Sequence, residues 1–162
     1  MQNKKEKMND PSAFQTQIER DLVSDGWCLC MTEGDSMEPL LREQKNAVLI
    51  ERVNGLLNIN DVALYRRPWE KKMVLHRVVK VRKNDYLICG DNRLYREPVP
   101  HDWVVGVMQG YYEGEEFIPV TSERYLAYVQ KMRRHYWIRY VRALPSRIKR
   151  KIHRIVSNIM VL

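Results

Sequence analysis

The alternation of apolar and polar positions divides the chain into a short helix, a run of strands and a second helical region. Apolar residues four apart predict a helix over residues 13–25. Turn signals rich in Gly, Asn, Asp and Pro, with Glu97-Pro98 among them, then separate β-type segments at intervals of roughly ten residues. The predicted strands cover residues 27–31, 47–53, 61–66, 73–82, 85–89 and 103–109, with 111–118 as a further candidate. This spacing predicts a mostly β fold with an antiparallel body.

After Pro119 the pattern becomes helical. Ser122 is a predicted N-cap, and apolar and aromatic residues follow a helical period as far as Leu144. Beyond Pro145 the isoleucines form a stripe on one side of a predicted helix, and Lys and Arg cover the opposite side, which is typical of a basic amphipathic helix. The expected organisation is a polar N-terminus and short helix (1–26), a β domain (27–119) and a basic amphipathic helical tail (120–162).

Charge is distributed unevenly between these regions. The net charge of +8 combines 17 basic and 20 acidic residues in 1–123, a balance of −3, with 11 basic and no acidic residues in 124–162, a balance of +11. The tail is therefore expected to bind an anionic membrane surface through residues 145–162. Packing of the tail on the body is an open alternative. Nucleic-acid binding ranks last, because it would leave the apolar stripe without a role.

Bulk features exclude several classes of protein. No apolar run approaches the roughly 20 residues of a membrane-spanning helix, and no secretory signal is recognisable, so a cytoplasmic location is expected, with the tail at the inner face of the membrane. Cys28 and Cys30 share one face of a predicted strand, while Cys89 is distant; all three are expected to be buried, reduced thiols. Because no metal-ligand spacing is present, neither a metal nor a cofactor is expected.

Three short segments carry candidate chemistry. In Gly34-Asp35-Ser36-Met37-Glu38-Pro39, a turn leading into a short helix would expose the Ser36 hydroxyl, which is a good nucleophile only beside a base. His76 lies in a predicted strand and could be that base near neutral pH. Asp91, in Gly90-Asp91-Asn92, could orient the imidazole. Taken singly, these residues also fit an N-cap serine, a half-buried strand histidine and an Asx-turn.

In order and spacing, the three segments resemble the signal peptidase I and LexA-like serine peptidases over residues 27–110, and Ser36-Met37-Glu38-Pro39 is the most specific part of the likeness. His76-Arg77 stands where bacterial members have Lys-Arg, so the chain is more similar to the endoplasmic-reticulum branch. The resemblance implies a LexA/signal-peptidase-like β fold. It also implies Ser36 as nucleophile with its N–H in the oxyanion hole, His76 as general base and Asp91 as orienting acid.

The expected activity is that of a serine endopeptidase, which cleaves a leader or signal-like peptide from a precursor protein bound as an added strand. The sequence departs from the family in having Asn60-Asp61 where Gly-Asp is usual, and in lacking both an anchor before the serine and a helix-turn-helix domain. Two alternatives stay open. A lysine base could come from Lys71 or Lys72, or the chain could be a non-catalytic LexA-like regulator or dimerisation module whose tail binds DNA or anionic lipid.

Overall fold

A computed structural model describes residues 11–67 and 72–143 of the 162-residue chain. Three parts of the sequence predictions lie outside the described residues: residues 1–10 of the polar N-terminus, Lys71, and the isoleucine-rich part of the tail. Within the described residues the helices are α1 (Pro11–Ser24) and α2 (Glu123–Ala143). The strands are β1 (Trp27–Met31), β2 (Ala47–Arg52), β3 (Val62–Arg67), β4 (Lys72–Val81), β5 (Asp85–Cys89), β6 (Glu97–Pro100), β7 (Val104–Glu113) and β8 (Glu116–Pro119).

The eight strands of the described residues form one antiparallel sheet in the order β1-β2-β7-β3-β4-β5-β6, with β8 paired to β7. The mostly β class predicted from the sequence is therefore confirmed. Strand β4 pairs with β3 along residues 72–77, but with β5 only from Arg77 onward. One edge of residues 72–76 is therefore not paired to any described strand, and β1, at the end of the sheet, also has one such edge.

The predicted strands agree with the observed ones to within about one residue for β1 to β5. Two differences arise near the C-terminal end of the sheet. Residues 97–100 form β6 although Pro98 suggested a turn; β6 ends the sheet, where a strand tolerates the missing proline N–H. The candidate strand at 111–118 is divided, because β7 continues to Glu113 and a turn at Gly114 leads into β8.

Apolar side chains form two cores. One lies among α1, β2, β7 and α2 and includes Leu22, Ile50 and Tyr125, while the other lies among β3 to β6 and includes Tyr65 and Ile88. Helix α2 starts where the sequence predicts, since the Tyr125 N–H donates to the Ser122 hydroxyl at 3.2 Å. Among the described residues, no helix combines the length and apolar character needed to cross a membrane.

Candidate active site

Ser36 lies in the connection between β1 and β2, within a series of tight turns rather than the short helix expected there. The Glu38 N–H donates to the Asp35 carbonyl at 3.2 Å, and the Leu41 N–H donates to the Met37 carbonyl at 3.1 Å. Each bond closes a single turn. Proline disfavours helical backbone in the residue before it, so Glu38 before Pro39 does not extend these turns into a helix.

The segment that follows β5 holds the serine turn in place. The Asn92 N–H donates to the Ser36 carbonyl at 2.9 Å, and the Asn92 side-chain amide donates to the Asp35 carbonyl at 3.2 Å. Arg93 forms an ion pair with the Asp35 carboxylate. Gly90 is needed for this close approach, because a Cβ atom there would lie 2.6 Å from the Ser36 carbonyl oxygen and 3.1 Å from His76 Nε2.

The structure brings Ser36 and His76 together, as the sequence predicts. His76 lies on β4, and its Nε2 atom is 2.9 Å from the Ser36 hydroxyl oxygen. This is the separation at which a histidine base takes the proton of a serine nucleophile. The two residues are 40 positions apart in sequence, and the sheet and the turn after β5 make them neighbours.

The other ring nitrogen of His76 contacts two groups that the sequence did not suggest. Nδ1 is 3.2 Å from the Tyr65 hydroxyl and 3.6 Å from Glu97 Oε1. The Tyr65 hydroxyl donates its hydrogen to Glu97 Oε1, because an ionised carboxylate only accepts hydrogen bonds. The Tyr65 oxygen is then left to accept the hydrogen of Nδ1. That arrangement leaves the Nε2 lone pair to accept from Ser36, as a general base requires.

Glu97 is held in its charged form. Burial raises the pKa of its carboxyl group, but the nearby His76 and the hydrogen bonds from Tyr65 and Arg67 outweigh burial and lower that pKa to about 2. Arg67 Nη2 lies 2.5 Å from Glu97 Oε1. Burial and the Glu97 carboxylate both raise the pKa of Tyr65, which keeps its phenol protonated. His76 therefore lies beside a negative charge that Arg67 and Tyr65 hold in place.

Asp91 does not take the orienting position expected for it. Its Oδ1 accepts from Arg77 Nε at 2.8 Å, and its Oδ2 accepts from Arg77 Nη2 at 2.6 Å and from the Tyr128 hydroxyl at 3.0 Å. Successive residues of a strand point to opposite faces of the sheet, so His76 and Arg77 face apart on β4. Within the described residues, Asp91 is hydrogen-bonded to Arg77 and Tyr128 on one face of β4. On the other face, His76 Nδ1 contacts Tyr65 and Glu97.

The ion pair of Arg77 and Asp91 joins the sheet to α2. Arg77 also donates to the Asn60 carbonyl and to the Tyr125 hydroxyl, both at 2.8 Å. Burial lowers the pKa of the guanidinium, but the adjacent Asp91 carboxylate more than offsets this and raises it overall. Arg77 is 1% exposed. Because the groups of this closed cluster satisfy one another, loss of either Arg77 or Asp91 would leave a buried charge without its partner.

A groove with a volume of about 1010 Å³ opens in front of Ser36. Its walls include the end of β1 and residues 72–76 of β4, which are the two strand edges without a described partner strand. Apolar side chains form its floor, among them Met37, Leu41, Val48, Ile50, Leu64 and Leu75. Charged groups stand at Glu33, Arg67, Lys72, Arg93 and Glu97. A groove between two unpaired strand edges suits an extended peptide.

The alternative base Lys72 lines this groove, but within the described residues the hydrogen bond of the Ser36 hydroxyl is with His76. The described part of the chain contains no cluster of three or more His, Cys, Asp or Glu side chains arranged to hold a metal ion. What the structure assembles is therefore a serine hydroxyl, an imidazole and a tyrosine–glutamate pair beside an open groove.

Sequence reasoning missed Tyr65 and Glu97. Tyr65 lies within a correctly predicted strand, on the same face as His76, because β3 pairs Ala63 with His76 and Tyr65 with Val74. The register of that strand pair is the signal that would have indicated Tyr65. The sequence pattern places Glu97 in a turn, and its approach to His76 depends on the position of β6 across the sheet.

Comparison with known proteins adds no relationship: no protein-family model matches the chain, and no curated protein matches it either.

Proposed function

We propose that this protein is a serine endopeptidase of the signal-peptidase/LexA-like type, which cleaves a leader or signal-like peptide from a precursor protein. The observation that carries the proposal is the 2.9 Å contact between the Ser36 hydroxyl and His76 Nε2. Further support comes from the Tyr65–Glu97 relay, which selects the His76 tautomer that has a free lone pair at Nε2.

In the proposed reaction, the Ser36 oxygen attacks the scissile carbonyl carbon while His76 Nε2 takes the hydroxyl proton. The imidazolium keeps its Nδ1 hydrogen on the Tyr65 oxygen, and the Glu97 carboxylate 3.6 Å away stabilises its charge. Nε2 then gives its proton to the leaving amine, and the acyl group stays on Ser36. Water, deprotonated by His76, releases the acyl group and restores the serine.

The Ser36 backbone N–H is the proposed oxyanion donor. Within the described residues it donates to no acceptor, and it belongs to a turn whose carbonyls are held by Asn92. An N–H group that is held in place beside the nucleophile, and is available to donate a hydrogen bond, stabilises the negative charge that develops on the carbonyl oxygen.

The proposed substrate is an extended segment of a precursor protein. Its backbone would pair with the free edge of β1, with residues 72–76 of β4, or with both, since the two edges face one groove. The floor formed by Met37, Leu41 and Leu64 is apolar and suits the apolar segment of a leader peptide. Cleavage after a small residue is expected from the resemblance to the signal peptidases.

A covalent probe tests the nucleophile directly, whatever the substrate is. A fluorophosphonate probe should phosphonylate Ser36 with loss of fluoride, and peptide mapping by mass spectrometry should locate the adduct on residues 21–42. Ser36→Ala should abolish labelling, and His76→Ala should slow it strongly. Ser24→Ala is the matched control, because Ser24 lies at the exposed end of α1, and this variant should label like the wild type.

Cleavage of a library of leader-like peptides supplies the second readout. The wild type and Ser24→Ala should cut the same sequences, whereas Ser36→Ala should cut none. Equal cleavage by Ser36→Ala and the wild type would overturn the proposal. Labelling spread over several serines, without preference for Ser36, would count against it as well.

The tail keeps its proposed role as an anchor on anionic lipid, through residues 145–162. The full chain should bind vesicles containing phosphatidylglycerol more tightly than vesicles of phosphatidylcholine alone, and added salt should weaken that binding. In the alternative function, a regulator, the chain would instead bind duplex DNA with a salt dependence that reflects several phosphate contacts. Equal affinity for both kinds of vesicle would contradict the anchoring role.

A further inference from the structure

Two cysteines on β1 form a pair that the proposed reaction does not use. Cys28 and Cys30 are both free, and their sulfur atoms lie 3.4 Å apart, within hydrogen-bonding distance. They project from the same face of the strand and are paired with Ile50 and Val48 of β2. Adjacent thiols on one strand form a dithiol, whose two sulfurs an oxidant can join in a disulfide.

The position of the pair connects it to the candidate active site. Cys30 lines the groove that also contains Ser36, while Cys28 lies behind it in the core. A small reagent that enters the groove therefore reaches this pair, in which Cys30 lines the groove and Cys28 is in contact with it. Since β1 ends the sheet and β2 is its one paired strand among the described residues, a change in the β1 backbone meets less resistance than one in a central strand.

The environment of the two thiols differentiates them chemically. The hydrogen bond from Cys30 lowers the pKa of the Cys28 thiol, and it outweighs the opposing effects of burial and Asp21. The pKa of Cys30 is raised by the same hydrogen bond and by burial, so Cys30 stays protonated. A thiol of lowered pKa in contact with a second thiol is the arrangement of a reactive cysteine with its resolving partner.

We propose that Cys28 and Cys30 are a modification site, at which a hydroperoxide oxidises the pair to an intrastrand disulfide and thereby disables the groove. The Cys28 thiolate attacks hydrogen peroxide, breaks the O–O bond and becomes a sulfenic acid, and the released hydroxide takes a proton to give water. Cys30 then attacks the Cys28 sulfur and expels a second water, whose proton is that of the Cys30 thiol. The two thiols lose two electrons, which the peroxide gains.

Disulfide formation requires β1 to change shape. The bond length is about 2.05 Å, so the sulfur atoms must approach by roughly 1.3 Å from their present 3.4 Å. Residues two apart on a strand have Cα atoms about 6.6 Å apart, near the upper limit for a disulfide of about 6.8 Å. The strand must therefore contract locally. That contraction alters the strand edge with which the proposed substrate would pair.

The first experiment measures the modification alone and does not depend on peptidase activity. After treatment with hydrogen peroxide, thiol titration of the denatured wild type should find one free thiol in place of the three in the reduced chain. The tryptic peptide 21–42, which contains both cysteines, should lose two hydrogen masses, and dithiothreitol should restore them. Cys89→Ser is the matched control and should form the same disulfide.

Single variants identify the two partners. Cys28→Ala and Cys30→Ala should each prevent the loss of two hydrogen masses, and Cys30→Ala should leave a sulfenic acid on Cys28 that dimedone traps. Three thiols remaining in the oxidised wild type would overturn the proposal, as would a disulfide that involves Cys89 or joins two chains. Because the wild type alone supplies the main readout, poor folding of one variant does not remove the test.

The second experiment rests on the proposed function and compares peptide cleavage by the reduced and oxidised wild type. A displacement on the order of 1 Å at a substrate-positioning strand should slow cleavage on the order of 100-fold, and dithiothreitol should reverse the loss. Cys28→Ala should cleave at the same rate before and after peroxide. A disulfide that forms without slowing cleavage would refute the effect on the groove. Absence of cleavage by the reduced wild type would instead count against the proposed function, and the modification would stand.

Discussion

Two neighbouring residues of β4 organise two polar clusters of opposite character. His76 belongs to an open cluster with Ser36, Tyr65 and Glu97, in which the side chains of His76 and Glu97 are 12% and 14% exposed at the groove. Arg77 belongs to a closed cluster with Asp91, and the side chains of that ion pair are each 1% exposed. The alternating faces of one strand thus separate candidate chemistry from structural support.

Asp91, which was predicted to orient the histidine, instead belongs to the closed cluster. Both clusters pair a cation or a base with a carboxylate and at least one tyrosine. In the closed cluster, Asp91 has its oxygens engaged by Arg77 and Tyr128, away from the groove. In the open cluster, His76 Nε2 reaches the groove-lining Ser36. The open cluster and the closed cluster therefore differ in their access to the groove and not in the types of residue that they contain.

The largest expected effect comes from breaking the closed cluster. Asp91→Asn should destabilise the protein by about 3–5 kcal/mol, because it leaves the Arg77 charge buried without its partner. Urea unfolding measures the loss. Asp85→Asn is the matched control: it breaks the exposed pair with Arg82 and should cost about 0–1 kcal/mol. A stable Asp91→Asn variant that has lost only its catalytic rate would instead restore Asp91 to the catalytic relay.

The next largest effect concerns the open cluster. Glu97→Gln and Tyr65→Phe should each reduce kcat about 100-fold, or ~2.7 kcal/mol, with little change in KM, because His76 loses the groups that fix its tautomer and stabilise its charge. Nitrogen NMR of His76 gives an independent readout, since the fraction protonated at Nδ1 should fall.

Tyr128→Phe removes the corresponding hydroxyl from the closed cluster and is the matched control. It should leave kcat and the His76 tautomer unchanged and lower stability by about 1 kcal/mol. If Tyr65→Phe and Tyr128→Phe affected kcat equally, the distinction between the two clusters would fail.

A smaller effect is expected at Gly90, which lies between the clusters. Gly90→Ala places a Cβ atom 2.6 Å from the Ser36 carbonyl oxygen, so the serine turn must move and overpacking should cost about 2 kcal/mol. In Gly90→Ala, fluorophosphonate labelling of Ser36 should fall by more than the fraction of unfolded protein accounts for. A fully labelled Gly90→Ala variant would show that the turn adjusts without displacing the nucleophile.

The smallest effect is a dependence of stability on pH. The pKa of Glu97 is about 2 in the folded protein against an ordinary value of 4.5, so its charge stabilises the fold above pH 4.5. This contribution is lost as the pH falls from about 4.5 towards 2. After allowance for solvent screening it is on the order of 1 kcal/mol. The difference in unfolding free energy between the wild type and Glu97→Gln should therefore narrow on acidification, and a constant difference would contradict the assignment.

Much of the fold was predictable because its signals are local. Strands β1 and β5 were predicted to the residue, since short β-type runs stand between clear turn residues. Ser122 as the N-cap of α2 is confirmed for the same reason. Strand β6 was missed because Pro98 is a local turn signal. A strand can contain this proline because β6 lies at the edge of the sheet, and that position is not visible in the local sequence.

The sequence by itself determined the mostly β class, the position of the serine turn and the candidacy of Ser36 and His76, because residue type and short-range spacing carry that information. Only the tertiary structure decided which acid accompanies the histidine. Strand pairing turned Arg77 towards Asp91 and brought Tyr65 and Glu97 to the other face of β4, beside His76. These contacts join residues more than ten positions apart, so they depend on register and strand order, which no short segment of the chain encodes.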